Sequence, residues 1–211
     1  IYDEASADDI AQNVATQMFG LLGMAQEELL ITNAYIVPGQ PAIDFVKRLT
    51  DRGVRVRILT NSLASHDVPA VNSHYKDWRD DFILAGAELY ELRADPAIRS
   101  IVEVPPMQGE FVGLHMKAAV VDRRHVFIGS MNLDPRSGNI NTEAGAFVDS
   151  PGLAADVADA EGVNEPVEAH AAALIDGAEQ VLDRLLAEAL LFLERGFRRL
   201  VARLEREDVG R

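Results

Sequence analysis

The sequence predicts an α/β fold: an α/β sandwich around a mixed sheet, with a helical C-terminal segment appended. Three observations predict it. Helical and strand-like patterns alternate from the start of the chain to residue 92, residues 114–148 then run as successive strands, and from residue 151 the composition turns to Ala, Leu, Glu and Arg on a helical stripe. The expected division is a domain over residues 1–150 and a helical extension over residues 151–211.

Ser6, Asp8 and Asp9 read as a helix start with acids in its first turn, and Ile10, Val14, Met18, Leu21 and Leu22 continue at helical spacing. Residues 28–32 form a short apolar strand, and Pro38-Gly39 turns the chain. Residues 41–51 form a second helix with Gly53 just past its end, the position that favours glycine. Residues 54–60, Val-Arg-Val-Arg-Ile-Leu-Thr, alternate as a strand with one wet face. A polar loop leads to a helix over residues 72–85, closed by Gly86, and residues 87–92 form a strand. Residues 96–113, with Pro105-Pro106, form a long loop of the kind that is functional or mobile. Strands over residues 114–121 and 125–128 flank Asp122-Arg-Arg, and residues 143–148 add another after the loop 132–141. Beyond residue 151, Leu174, Ala178, Val181, Leu182, Leu185, Ala189, Leu193, Phe197, Leu200 and Leu204 share a stripe, so residues 165–207 read as one long helix or two shorter ones.

Composition narrows the classes. The chain has 211 residues, with 34 acids against 20 bases for a net charge of −14, and no Cys. That excludes a disulfide scaffold, a Cys-based zinc site and a Cys nucleophile. No apolar run reaches the roughly 20 residues of a membrane-spanning helix. An acidic balance also disfavours nonspecific nucleic-acid binding. The charge is uneven, however. Residues 1–28 hold six acids and no bases and residues 151–211 hold thirteen acids and seven bases, so the central part is close to neutral. The acidity therefore belongs to the ends and weighs little against an anionic substrate in the centre.

The chemistry is carried by His115, Lys117, Asp122, Gly129, Ser130 and Asn132, with Glu143 eleven residues on. Positions two apart on a strand share a face, so His115 and Lys117 point into one space. Imidazole is a nucleophile or acid near neutral pH, and an adjacent ammonium suits a phosphate oxygen. Ser130 and Asn132 add a hydroxyl and an amide, completing a cradle for a phosphodiester. Glu143 could hold the second imidazole nitrogen and set its tautomer. Asp122 reads more readily as a cap of the hairpin with Arg123 than as a chemical group.

These residues match HxKx4Dx6GSxN, and the chain resembles the phospholipase D superfamily. Six fixed identities, each with chance odds of about one in twenty, make the match specific. Residues 31–39, 53–62, His66-Asp67, Tyr75, Arg79, 85–91, 132–137 and 141–143 extend the resemblance to the C-terminal half of bacterial cardiolipin synthases, over residues 25–155. The resemblance implies a phospholipase D-like α/β sandwich and a two-step phosphodiester exchange through a phosphohistidine. The catalytic set would be His115, Lys117, Asp122 and Glu143, with Gly129, Ser130 and Asn132 on the substrate. It implies no metal and no other cofactor, a phospholipid substrate, and a peripheral place on the cytoplasmic or periplasmic face of a bacterial membrane. Nucleic acid is not the favoured partner.

The chemistry needs two such histidines and the chain has one motif, since His66, His74, His125 and His170 lack the HxK pattern. The second is expected either from a missing N-terminal half or from a homodimer partner. The first is favoured, because the matched segment resembles a second half and the chain does not start with Met. Two other readings stay open: a dimeric phosphodiester hydrolase of phospholipase or nuclease type, and a noncatalytic half-site domain. Thr60-Asn-Ser62 reads as an ordinary turn as readily as a site, His66-Asp67 as a loop feature ahead of a substrate contact, and Tyr75 and Trp78 as packing ahead of ligand contacts. For the C-terminal helix, docking over the sheet or a coiled-coil contact is favoured over lying on anionic lipid with Arg195, Arg198, Arg199 and Arg203.

Overall fold

The computed structural model describes residues 13–92 and 113–160. The expected helix start at Ser6, the long loop before residue 113 and the helical stripe of residues 165–207 lie outside the described residues.

Helix α1 (Val14–Leu22) starts where the Asn13 side chain accepts the Thr16 N–H at 2.8 Å, and it buries Val14, Met18 and Leu22 on one stripe. Strand β1 (Glu28–Asn33) is buried along almost its whole length, as a central strand must be. Helix α2 (Gln40–Thr50) has Pro41 in its first turn, where the missing N–H costs nothing, and buries Ile43, Val46 and Leu49. Gly53, at φ 85°, turns the chain into β2 (Arg55–Asn61). A 3-10 turn (Leu63–Ser65) precedes α3 (Pro69–Leu84), which begins three residues earlier than expected because Pro69 is itself the helix start. Then come β3 (Glu88–Leu92), β4 (Lys117–Val121), β5 (His125–Gly129), the short helix α4 (Pro135–Asn139), β6 (Gly145–Asp149) and α5 (Pro151–Ala160).

The six strands form one mixed sheet in the order β3-β2-β1-β4-β5-β6. The first three are parallel, and β4, β5 and β6 add antiparallel. Asn33 pairs with Lys117 and Gly129 with Gly145, so the C-terminal ends of β1, β2, β3 and β5 and the N-terminal ends of β4 and β6 share one edge of the sheet. The expected α/β class with a mixed sheet is what the chain adopts.

Alternating residues feed two cores. Leu29, Ile31, Val56, Ile58, Ala119, Val121 and Phe127 pack with α1, α2 and α3, whereas Leu30, Val120 and Val126 pack with Leu153, Ala154, Val157 and Ala158 of α5. Helices therefore cover both faces. Leu153, Ala154, Val157 and Ala158, in the segment expected as a separate extension, are core of the sheet, because α5 supplies the apolar cover that Leu30, Val120 and Val126 need.

The wet face expected for residues 54–60 is not wet at its centre. Arg57 is buried, with Glu28 at 3.4 Å and Glu88 at 3.5 Å. Two acids on the flanking strands let an arginine sit inside a sheet.

Candidate active site

The shared sheet edge gathers the motif. His115 lies just before β4, and Lys117 is its first residue. The Lys117 Nζ stands 3.2 Å from Nδ1 and 3.1 Å from Nε2 of His115 and donates to the His115 carbonyl at 2.7 Å. The two side chains do share a space, as their spacing requires. Lys117 is buried while His115 is exposed, so the imidazole faces outward with an ammonium behind it. Burial lowers the Lys117 pKa from its ordinary value, against the charges of Glu143 and Asp67, which raise it.

Glu143 is buried on the loop before β6 and accepts from the Ser130 hydroxyl and, at 3.2 Å, from Asn141 Nδ2. Its expected place is against the second imidazole nitrogen. In the structure its carboxylate binds the Ser130 hydroxyl and Asn141 and acts on Lys117 through charge. Ser130 consequently spends its proton on Glu143 and accepts the Ala144 N–H at 3.1 Å, so its hydroxyl frames the site and is not an open donor to phosphate. Asn132 Oδ1 is buried without a hydrogen-bond partner among the described residues. The unspent capacity is therefore that of an acceptor, the amide oxygen.

Two expected site residues have structural explanations. Asp122 is at the far end of β4 from Lys117, about 16 Å along a strand of this length. Its carboxylate accepts the backbone N–H groups of Gln26, Glu27 and Glu28 at 2.8–3.1 Å. Burial would raise its pKa, but those three donors outweigh it and hold the carboxyl below its ordinary value. Arg123 beside it binds Glu28 at 2.9 Å. Asp122 (φ 50°) and Arg123 (φ 49°) are the two residues of a tight turn that needs positive φ, and Asp122 fastens that turn to the start of β1. Gly129, expected on the substrate, is required for packing. A Cβ there would meet Ala144 O at 2.6 Å and Phe127 Cζ at 2.9 Å.

Sequence reasoning left Thr60-Asn-Ser62 open between a turn and a site and gave Asn33 no role, yet Asn61 and Asn33 hold the motif in place. Asn61, at the end of β2, accepts the Leu114 N–H at 2.7 Å and donates to Leu114 O at 2.9 Å and Ala34 O at 3.1 Å. Asn33, at the end of β1, donates to Met131 O and accepts the N–H groups of Tyr35 and Leu133, each at 3.2 Å. One buried amide fixes the residue before His115; the other fixes the residues on either side of Asn132. Their only sequence signal is a polar residue closing an apolar strand at the edge where α/β proteins place sites.

By sequence alone Tyr35 has no site role and His66-Asp67 is a loop feature ahead of a substrate contact, yet the structure sets Tyr35 against Lys117 and joins Asp67 and His66 to Tyr35. The Lys117 Nζ is 6.0 Å from the Tyr35 ring centre, the Tyr35 hydroxyl donates to both Asp67 oxygens at 2.8 and 2.7 Å, and the Tyr35 and His66 rings stack at 5.3 Å. Burial lowers the His66 pKa, and its Nδ1 accepts the Val68 N–H at 3.1 Å, so Nε2 carries the proton of a neutral ring. Tyr75, as expected, is a buried packing residue, its hydroxyl on Glu91 at 3.2 Å.

Comparison with known proteins agrees with this fold. The family described as cardiolipin synthase, PLD-like domain, matches residues 18–160. Cardiolipin synthase C of Escherichia coli is 37% identical over 139 residues, covering 65% of this chain but 29% of that protein. The chain therefore spans under a third of that relative. Among solved structures, the fold resembles Nuc of Salmonella typhimurium, a phospholipase D family member, with TM-score 0.51 and 18% identity over 70% of this chain and 83% of that one. It also resembles a phosphatidylserine synthase of Haemophilus influenzae, with TM-score 0.51 and 15% identity over 82% of this chain and 36% of that one.

Proposed function

The chain belongs to the cardiolipin synthase, phospholipase D-like domain family, and on that premise we propose that it is a phosphatidyltransferase of cardiolipin synthase type, exchanging phosphodiesters of phospholipids. The observation that carries this reading is the Lys117 ammonium held within 3.2 Å of both His115 ring nitrogens inside a buried polar cradle. A buried cation next to an exposed imidazole places positive charge where a phosphodiester oxygen must sit during attack on phosphorus.

In the first step an imidazole nitrogen bonds to phosphorus, the bond from phosphorus to the leaving oxygen breaks, and a second histidine gives that oxygen its proton. In the second step the acceptor hydroxyl returns a proton to the second histidine as its oxygen takes phosphorus from the first. His115 fills one of the two roles. The other histidine comes from a second motif, on a longer polypeptide or on a second copy of this chain. Lys117 and the Asn132 amide hold the phosphate oxygens, and Glu143, with Ser130 and Asn141, holds Lys117 in its charged form. This chemistry calls on no cofactor. The substrate places the protein at a membrane surface, and among the described residues no helix is long and apolar enough to cross one.

The test is phosphatidylglycerol in vesicles, with the formation of cardiolipin and free glycerol followed in the presence of EDTA. Activity that requires His115 supports the reading. Turnover of DNA without turnover of phospholipid would replace it by a nuclease.

A further inference from the structure

We propose that Tyr35 and Asp67 form a headgroup subsite that accepts a glycerol hydroxyl of the substrate beside the phosphate position at Lys117. The assignment rests on reading the site as one for glycerophospholipid diesters and adds to it the residues that recognise the alcohol.

Three features support it. Asp67 is held in place by the bidentate Tyr35 hydroxyl, yet its side chain is 55% exposed, so its oxygens keep lone pairs that face outward. Tyr35 is itself fixed, with one ring face stacked at an interplanar angle of 13° on buried His66 and Lys117 Nζ 6.0 Å from its centre. Position supplies the third feature. Lys117 Nζ is 6.0 Å from the centre of the Tyr35 ring whose hydroxyl bonds to Asp67 at 2.8 and 2.7 Å, so the ring alone separates a phosphate at Lys117 from the carboxylate, a span for the hydroxyls of an esterified alcohol.

The sign of the charge selects the ligand. A carboxylate accepts hydrogen bonds from hydroxyls and repels a second phosphate, so it favours a polyol headgroup over the next nucleotide of a nucleic acid. Tyr35 remains a donor throughout, since burial first, and then its bond to Asp67, push its pKa up to about 12.

The experiment measures binding to the 211-residue chain, which needs no second histidine. NMR titrations compare glycerophosphoglycerol with diethyl phosphate, diesters of equal charge that differ in their hydroxyls. The expected result is a Kd about tenfold lower for glycerophosphoglycerol, the size of one hydrogen bond to a charged group. Asp67→Ala should bring the ratio close to one, Tyr35→Phe should lower it, and Asp67→Asn, which keeps an accepting oxygen but loses the charge, should leave an intermediate ratio. Lys117→Ala should weaken both ligands by a common factor. Equal affinities in the wild type overturn the proposal, as does an unchanged ratio in Asp67→Ala. Loss of catalytic turnover, by contrast, bears on the proposed function and leaves this ratio untouched.

Discussion

Asn61 and Leu114, 53 residues apart, exchange hydrogen bonds in both directions: Leu114 N–H to Oδ1 at 2.7 Å and Nδ2 to Leu114 O at 2.9 Å. A side chain thus does what a neighbouring strand would do, at the residue that delivers His115. Asn61→Ala leaves Leu114 and Ala34 backbone groups without this partner, at a cost of about 1–3 kcal/mol. Turnover should fall further than the loss of folded protein explains, because His115 is no longer held against Lys117. Thermal unfolding measured beside kcat for Asn61→Ala checks this, and a purely structural role predicts that the two losses match.

Asp122 gives the opposite pattern. Asp122→Ala removes the acceptor of three backbone N–H groups and should destabilise by about 1–3 kcal/mol, or several degrees in Tm. Turnover per folded molecule should stay within a few-fold. The pH dependence has a definite sign. The folded carboxyl lies below the ordinary value of 3.8, so the stability it contributes is present above that pH and is lost as pH falls through its folded pKa. The gap in stability between wild type and Asp122→Asn should therefore narrow on acidification. A gap constant from pH 6 to pH 2 would contradict the account.

The paired glycines Gly129 and Gly145 lie against the ring of Phe127. A Cβ at Gly145 would meet Phe127 Cε2 at 2.5 Å and Cζ at 2.8 Å. Gly145→Ala should cost about 1–3 kcal/mol as an overpacked core position. Combined with Phe127→Leu, which shortens the obstructing ring, the two losses should be less than additive in a double-mutant cycle. At Gly129 the same rescue should fail, since the backbone oxygen of Ala144 remains 2.6 Å away.

Activity should fall on the alkaline side below the lysine value of 10.5, because burial lowers the Lys117 pKa and its charge is lost as pH rises through that lowered value. For stability the sign reverses. Between the folded pKa and 10.5 the unfolded chain binds more protons, so stability from this group rises with pH. In Lys117→Arg the guanidinium stays charged and that limb of the kcat/KM profile should disappear, whatever the residual rate. An identical alkaline limb in Lys117→Arg would assign it to another group.

The range of each interaction decides whether the sequence discloses it. The alternation of elements and the mixed sheet come from local periodicity, and His115, Lys117 and Asn132 come from a motif within eighteen residues. Asn33 and Asn61 act across 98 and 53 residues, and a polar residue ending a strand does not name its partner. Arg57 looks solvated because arginine on alternate positions ordinarily is, and only the pairing of β2 between β1 and β3 brings Glu28 and Glu88 to it. Asp122 carries a motif letter whose chemistry is spent on the neighbouring strand, while Tyr35 carries none. The helix over residues 151–160 shares its small-residue composition with the segment beyond it, so its docking on Leu30 and Val126 is not legible in the chain.

The most direct test of the whole account is the rate at which phosphatidylglycerol vesicles yield cardiolipin and glycerol, compared between the wild type, His115→Ala and, as a control, His74→Ala on the exposed surface of α3. The account predicts a loss on the order of 10³-fold or more for His115→Ala and little change for His74→Ala. Turnover by His115→Ala within a few-fold of wild type would contradict it.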